Sequence, residues 1–343
     1  MKIIYSEKHR LRDSKTELFG GELVPPFERP SRMDLILKQI DLRSYGELIE
    51  PDSYGLEEVL RVHDAGYVEF MAGAWEEWVA TGYKGEAMPT CWPARRMSDK
   101  IPTFVEGKLG YYSLATETSI SEGTWEAALA SKDVALTGAR MIGSGDEKIT
   151  FSLCRPPGHH AAIDMYGGYC FINNAAVAAQ SLKDQGANKV AILDVDFHHG
   201  NGTQDIFYTR KDVFFASLHG NPADAFPHFL GYADETGSGE GEGFTQNYPY
   251  PPGTGFEKWR EGLADAIKKI EAFGPDALVV SLGTDTYKDD PISFFKLDHD
   301  DFSVMGRDIA KLNKSTLVVM EGGYAIDDIG INTLNFLEGI EAG

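Results

Sequence analysis

The sequence predicts a soluble, single-domain α/β protein with a central parallel β-sheet and helices on both faces. Three observations indicate this fold class: recurring short apolar runs, helix-like stretches between them, and an ordinary globular composition. The chain has 343 residues, of which 42% are hydrophobic and 25% are charged, values typical of a globular domain. We expect one domain over residues 1–343, because an α/β fold can hold a chain of this length as a single unit.

Six short runs have the character of buried strands. Each is rich in β-branched or aromatic residues and is apolar almost without interruption, which is typical of parallel strands covered on both faces. They are residues 2–6, 148–154, 189–196, 212–220, 277–285 and 316–324. We therefore expect these runs to form the central sheet.

Helical patterns separate the later runs. Residues 173–187 are rich in alanine, and residues 256–274 carry apolar side chains every three to four positions. Residues 55–63 and 124–142 are also predicted to be helical. The alternation of strands and helices favours a parallel sheet with helices on both faces.

Residues 10–32 and 82–107 are rich in loop signals. Loops this long are uncommon inside a compact domain and, where they occur, are often functional. Both contain aromatic residues, which argues against disorder.

The charge of the chain excludes some partners. It has 32 Lys and Arg against 53 Asp and Glu, a net charge of −21, so nucleic acid and anionic membranes are disfavoured and a cationic small molecule is permitted. Three cysteines cannot build a disulfide framework. No apolar run approaches the ~18 residues of a membrane span, and the first residues lack a signal-peptide core. We therefore expect a cytoplasmic protein.

Polar side chains follow four of the predicted strands. In a parallel α/β sheet the ligand site lies beyond the carboxyl ends of the strands. The residues there are His159 and His160 after the second run, Asp194, Asp196 and His198 in and after the third, Asp285 in the fifth and Tyr324 in the sixth. Polar side chains concentrated at these positions are hard to explain as part of the hydrophobic core.

Three of these residues suit a metal ion. Asp196 and His198 are two positions apart, which in an extended strand puts them on one face, and Asp285 could supply a third ligand from another strand end. Two carboxylates and one imidazole suit zinc with an open position for water. The alternative is that these polar groups only cap strands.

The tandem histidines and Tyr324 suit acid–base chemistry. His159 and His160 could serve as general base and general acid, and Asp194 could accept a ring N–H from one of them and fix its tautomer. Tyr324 could donate to an oxyanion beside a metal. Taken singly, the histidines also fit a surface loop and the tyrosine a packing role.

In these residues and the segments around them, the sequence resembles the zinc-dependent deacetylases related to histone deacetylases, which have an arginase-like α/β fold. The matching segments run in family order: 57–71, 155–161, 167–176, 193–207, 215–220, 281–285 and 321–324. Residues 15–30 and 101–128 are similar to the bacterial acetylpolyamine amidohydrolases of that family, so the resemblance covers nearly the whole chain.

The resemblance implies a role for each site residue. Asp196, His198 and Asp285 would bind one Zn²⁺ per subunit. His160 would be the general base and the acid that protonates the leaving amine, with His159 its electrostatic partner on Asp194, and Tyr324 would stabilise the oxyanion. A structural K⁺ or Na⁺ would use the Asp194 side chain, Ser217 and main-chain oxygens of Asp196, His198 and Leu218.

The resemblance also implies the substrate. The enzyme would hydrolyse acetylated polyamines to acetate and free amine, with metal-activated water as nucleophile. Gly168 would offer its carbonyl to the substrate amide, Tyr169 and Phe226 would line an apolar slot, and Glu17, Glu106 and Glu117 would attract the ammonium. Residues 10–32 and 82–107 would lie at the interface of a homodimer and at the active-site entrance.

Two departures from related patterns matter. Where arginase-like relatives carry extra carboxylates for a second metal, this chain has Gly200 and Tyr287, which disfavours a binuclear manganese centre. Where some family members carry an aspartate partner for the second histidine, this chain has Asn201. Because an amide bears no charge, we expect it to weaken any rise in the basicity of His160.

Other functions stay open at this stage. The first is a broad protein lysine deacetylase or another small-molecule amidase, and the second is an inactive protein that binds acetyl groups. An enzyme is favoured because the three ligands, both histidines and the tyrosine are all present. Fe²⁺ or Co²⁺ could occupy the same ligands as zinc.

Overall fold

The computed structural model describes all 343 residues. The strands are β1 (Lys2–Ile4), β2 (Glu17–Phe19), β3 (Glu22–Val24), β4 (Glu47–Ile49), β5 (Ile149–Ser152), β6 (Val190–Asp194), β7 (Val213–Gly220), β8 (Thr245–Tyr250), β9 (Ala277–Leu282) and β10 (Ser315–Met320). The helices are α1 (Ser31–Leu42), α2 (Ala65–Ala80), α3 (Val105–Tyr112), α4 (Thr124–Ser144), α5 (Asn174–Asp184), α6 (Asn201–Phe207), α7 (Phe256–Phe273), α8 (His299–Ala310) and α9 (Ile329–Ala342). None of these helices has the length and apolar character that crossing a membrane requires.

Eight strands form one sheet in the order β4-β1-β5-β10-β9-β6-β7-β8, and every neighbouring pair is parallel. All six predicted strands are present in it, as β1, β5, β6, β7, β9 and β10. The predicted fold class is therefore confirmed.

The sheet is covered on both faces, because successive side chains of a strand point to opposite sides. On β9, Val279 packs into a core of 40 buried residues that includes α2, α4 and α5. Its neighbour Val280 packs into a second core of 38 residues that includes α1, α7, α8 and α9. The near-equal size of the cores explains why the strands are apolar without alternation.

Two strands of the sheet were not predicted, because they lie at its edges. Strands β4 and β8 each have a neighbour on one side only, so they carry polar residues, and β8 contains Pro249, which is tolerated at an edge. The predicted loop 10–32 also contains the hairpin of β2 and β3. Gly20 and Gly21 form its turn, with φ of +60° and +87°, as a two-residue hairpin turn needs.

The prediction of helix over residues 55–63 is wrong. Only Val59–Arg61 forms a single 3-10 turn. The Nζ of Lys132 donates to the carbonyls of Tyr54 and Gly55, at 2.7 and 3.1 Å, and this holds the beginning of the segment outside a helix. A segment this short gains too few helical hydrogen bonds to resist that contact.

A buried charge cluster joins the N-terminal segment to the sheet. One oxygen of Glu28 accepts from Arg32 at 3.1 Å and from Arg155 at 2.7 Å, and all three side chains are buried. Arg155 also donates to the carbonyls of His9 and Arg12. The segment before α1 is therefore fixed to the residues that follow β5 by ion pairs that solvent does not screen.

We expect Glu28→Ala to lower the free energy of unfolding by ~3–5 kcal/mol, because it leaves buried guanidinium groups without a counter-charge. Urea denaturation monitored by circular dichroism measures this. Glu22→Ala is the matched control, since Glu22 is exposed on the hairpin. Equal stability of the two variants would contradict the prediction.

Candidate metal and catalytic site

The candidate site lies where β5, β10, β9 and β6 end side by side. Asp194 is the last residue of β6, and Asp196 and His198 follow it in a bend. Asp285 lies three residues after β9, and Tyr324 four residues after β10. The pair His159 and His160 follows β5 in a loop without regular structure.

Asp196, His198 and Asp285 converge on one point. Their donor atoms lie within 4.8 Å of one another and all three residues are buried. The Nδ1 of His198 lies 2.9 Å from Asp285 Oδ2 and 3.3 Å from Asp196 Oδ1. The strand pleat does not produce this, since β6 ends at Asp194; instead the His198 main-chain N–H donates to Asp196 Oδ1 at 2.8 Å. Our explanation from an extended strand is therefore wrong, although the grouping it predicted is present.

The surroundings of these residues fit a divalent cation. Burial and the charge of Asp196 raise the pKa of Asp285 to about 8, so the two carboxylates need a cation to be ionised together. A Cβ at Gly322 would lie 2.6 Å from an oxygen of each carboxylate, which explains the glycine beside the donor atoms. Two carboxylates and an imidazole are ligands that suit a catalytic zinc.

His159 lies beside Asp194, and its ring Nδ1–H donates to Asp194 Oδ2 at 3.0 Å. Burial would lower the pKa of His159, but the charges of Asp196 and Asp194 outweigh burial and raise it to about 10. This ring is therefore a charged group beside Asp194 and Asp196.

His160 has the opposite character. Burial, with the charges of His159 and His198, lowers the pKa of His160 well below its usual value. Its Nδ1 lies 2.6 Å from Asn201 Oδ1, and Asn201 Nδ2 donates to the His160 carbonyl, which orients the amide. Since Nδ1–H donates to Asn201, the neutral ring keeps Nε2 free to accept a proton.

A cavity of about 300 Å³ leads to these residues. It is lined by Glu17, Leu18, Phe19, Glu117, His160, Gly168, Tyr169, Phe197, His198, Asp224, Ala225, Phe226, Ile292, Phe294 and Tyr324. The ring of Phe226 stands perpendicular to His160 with centroids 5.1 Å apart. A Cβ at Gly168 would lie 2.2 Å from the His160 ring, so only glycine fits there. Gly168, Tyr169 and Phe226 are thus brought together as wall residues.

Tyr324 lines the same cavity as His160 and His198. Its ring lies 5.7 Å from that of Tyr169, and burial raises the pKa of its phenol well above the ordinary value. The phenol therefore stays protonated and able to donate a hydrogen bond.

Two of the three predicted acidic residues line the cavity. Glu17 accepts from the Tyr169 hydroxyl at 3.2 Å, and Glu117 accepts from the Gly168 N–H at 3.1 Å. Glu106 lies outside the cavity of a single chain, where it accepts from Tyr83 and Thr90. Its predicted contact with substrate would therefore need a second subunit.

The predicted monovalent-cation residues lie on neighbouring strands. Asp194 on β6 pairs directly with Ser217 on β7, and Leu218 follows Ser217. The hydroxyl of Ser217 lies 2.8 Å from His219 Nδ1. Asp196 and His198 continue from Asp194, so these residues form one group, and the ion itself stays a prediction.

Gly200 and Tyr287 are the two positions at which the sequence disfavours a second metal, and the absence of that metal stays a prediction. A Cβ at Gly200 would lie 2.1 Å from Asp194 Oδ2, which leaves no room there for a carboxylate side chain. Tyr287 stacks on His299 with ring centroids 4.7 Å apart, away from the grouped ligands.

Several residues at the site were not predicted. Asp224 lines the cavity two positions before Phe226, and Phe197, Ile292 and Phe294 complete its walls. Glu321 accepts from the main-chain N–H groups of Gly158 at 2.7 Å and His159 at 3.1 Å. The position of Phe197 between Asp196 and His198 was a signal for it, whereas the contacts of Glu321 join residues 162 and 163 positions apart and leave no local pattern.

Comparison with known proteins agrees with this geometry. Residues 26–340 match the model of the histone deacetylase domain. The chain is 61% identical to an acetylpolyamine amidohydrolase of Mycoplana ramosa over 99% of both chains, and 52% identical to acetylpolyamine amidohydrolase 2 of Pseudomonas aeruginosa, again over 99% of both. The crystal structure of an acetylpolyamine aminohydrolase from Burkholderia pseudomallei superimposes with a TM-score of 0.95 at 36% identity, covering 100% of this chain and 99% of that one.

We expect Asp285→Asn to reduce the zinc content from about one ion per chain to well below half an ion per chain. The substitution replaces one of the two carboxylate ligands by a neutral amide, which binds zinc more weakly. Metal analysis after dialysis that removes unbound zinc measures this directly, without an activity assay. Asp234→Asn, at an exposed position, should keep its zinc. Full zinc content in the Asp285 variant would contradict the assignment.

Proposed function

The chain belongs to the histone deacetylase domain family, and from that premise we propose that it deacetylates acetylated polyamines such as acetylputrescine, acetylcadaverine and acetylspermidine. It is a hydrolase that acts on amides, as its relatives are named amidohydrolases and deacetylases. The observation that carries the substrate proposal is the pair of carboxylates, Glu17 and Glu117, in the cavity that ends at the metal-ligand group. Neither carboxylate forms a salt bridge within the chain, so both are available to a substrate ammonium.

Asp196, His198 and Asp285 would hold the zinc ion. When bound there, zinc lowers the pKa of a water molecule toward ~7 and polarises an acetyl carbonyl. The neutral His160, with Nε2 free, would accept the proton of the attacking water and then deliver it to the leaving amine. The charged His159 beside Asp194 would keep His160 neutral until that transfer, because two adjacent imidazolium groups repel each other.

Tyr324 would stabilise the developing oxyanion. Its phenol stays protonated because it is buried, and a donor already oriented in a site from which water is excluded is worth more than one in water. Gly168 would orient the substrate amide through its carbonyl, and Tyr169 and Phe226 would contact the alkyl chain on two sides. The walls are apolar where the methylene groups would pass and acidic where the ammonium would lie.

We propose two further features of the assembled enzyme. A K⁺ or Na⁺ ion would bind at Asp194, Ser217 and the adjoining main-chain oxygens. A homodimer would form through residues 10–32 and 82–107, where Phe19, Leu23, Met97 and Ile101 are 50–64% exposed. Large apolar side chains left this exposed favour a protein interface, and a second chain would allow Glu106 to reach the entrance.

We expect the zinc-loaded protein to have a much higher kcat/KM for N-acetylputrescine than for an acetyl-lysine peptide, because the narrow acidic cavity suits a small cation. Steady-state kinetics on both substrates measures the ratio. Glu117→Gln should reduce it, while Glu122→Gln, at an exposed position, should not. Faster turnover of the peptide would favour the alternative, a protein lysine deacetylase with the same metal chemistry.

We expect the selectivity for a cationic substrate to rise with pH around neutrality. Burial raises the pKa of Glu17 to about 7, although the Phe27 N–H and the Tyr169 hydroxyl oppose the shift. Glu17 is therefore neutral below this pH and negative above it. The ratio of KM for N-butylacetamide to KM for N-acetylputrescine should increase about fivefold across this range, equivalent to ~1 kcal/mol.

The ratio is used because titration of the histidines affects both substrates alike. Glu17→Gln should remove the pH dependence of the ratio while leaving the turnover of the neutral amide similar. A ratio that stays constant with pH in the unmodified protein would exclude Glu17 as a group that recognises charge.

A further inference from the structure

We propose that Asp290 is a positioning residue for Tyr324: its carboxylate fixes the main chain that carries the phenol. This inference rests on the proposed function, in which Tyr324 donates to the oxyanion. Asp290 lies in the loop after β9, five residues beyond Asp285, and it was not among the predicted site residues.

The contacts of Asp290 are with main-chain N–H groups. One oxygen accepts from Tyr324 at 2.7 Å and from Ala325 at 3.1 Å, and the other accepts from Ile292 at 3.1 Å. The residue is 6% exposed and forms no salt bridge. A buried carboxylate costs free energy unless it is hydrogen-bonded, so these three N–H groups are what stabilises it, and they are fixed in return.

The segment needs such fixing because two glycines precede the tyrosine. Gly322 and Gly323 carry no Cβ, and Gly323 has φ of +129°, so the sequence itself restricts the backbone conformation here less than it would with other residues. Arg32 holds one edge of the segment by donating to the carbonyls of Glu321 and Gly323, at 2.6 and 2.7 Å. Asp290 holds the opposite edge by accepting from Tyr324, the residue with the catalytic side chain.

Asp290 also connects the tyrosine to the cavity wall. Ile292, whose N–H it binds, lines the cavity together with Tyr324. One carboxylate therefore sets the separation of a wall residue and the proposed oxyanion donor. A displacement of ~1 Å in such a site can cost about 10²-fold in rate, so loss of this contact should be visible in kcat.

A double-mutant cycle distinguishes positioning of Tyr324 from general support of the fold. The proteins are the full-length, zinc-loaded wild type, Asp290→Asn, Tyr324→Phe and the double variant, assayed with N-acetylputrescine. The amide has the shape of the carboxylate but must turn its NH₂ group toward at least one N–H donor. We expect Asp290→Asn to lower kcat about tenfold with little change in KM, and to lower it less than about twofold once the Tyr324 hydroxyl is absent.

The matched control is Asp276→Asn. Asp276 also accepts two consecutive main-chain N–H groups, from Asn188 and Lys189, but it is remote from the cavity and should leave kcat unchanged. Zinc content and the thermal unfolding temperature are measured for every variant. If Asp290→Asn does not fold, Asp290→Glu, which keeps the charge but moves it by one methylene group, is used in the same cycle.

Two results would overturn the proposal. Asp290→Asn without a loss of kcat would mean that the contact does not fix the position of the phenol. An equal loss of kcat with and without the Tyr324 hydroxyl would mean that the effect does not act through Tyr324. If the wild type does not hydrolyse N-acetylputrescine, the substrate proposal fails instead, and the cycle is run on the acetyl-lysine peptide, where the same two results decide it.

Discussion

Parallel pairing of β5, β10, β9 and β6 aligns one row of residues across the sheet. Ser152 pairs with Val319, Val319 with Ser281, and Ser281 with Asp194. Each strand ends within one residue of this row, so the loops that follow begin at the same level. Main-chain hydrogen bonds thereby bring together groups from distant parts of the chain, and everything the site does depends on this register.

Beyond the sheet, carboxylates and main-chain N–H groups connect one loop to the next. Asp196 accepts from Gly322, Asp285 from Phe197, and Glu321 from Gly158. Each contact satisfies a buried anion and fixes a loop that has no regular structure. The same side chains therefore serve two purposes, since a carboxylate oxygen that accepts from one N–H group keeps a second lone pair that can bind a metal ion. Positional accuracy here does not require helices or strands.

Burial and neighbouring charges shift the pKa values of the ionisable groups of the cavity in different directions. Beside the grouped carboxylates, the charges of Asp196 and Asp194 raise the pKa of His159 against the effect of burial, while burial, with the charges of His159 and His198, lowers the pKa of His160. On the cavity wall, burial raises the pKa of both Glu17 and Glu117, so a bound cation would stabilise the ionised form of these carboxylates. The net charge of −21 resides mostly on the surface and adds only a general attraction.

The central strands, and the polar residues that follow them, were predictable from the amino-acid pattern, because a strand buried on both faces must be apolar throughout and the residues at its carboxyl end need not be. That reasoning grouped Asp196, His198 and Asp285 correctly, although the local geometry is a bend and not a pleat. The edge strands became apparent only in the folded chain, because their exposed side permits polar residues. The folded chain alone also revealed the contacts of Asp290 and Glu321, because their partners are main-chain N–H groups, which every residue except proline carries and no sequence pattern marks.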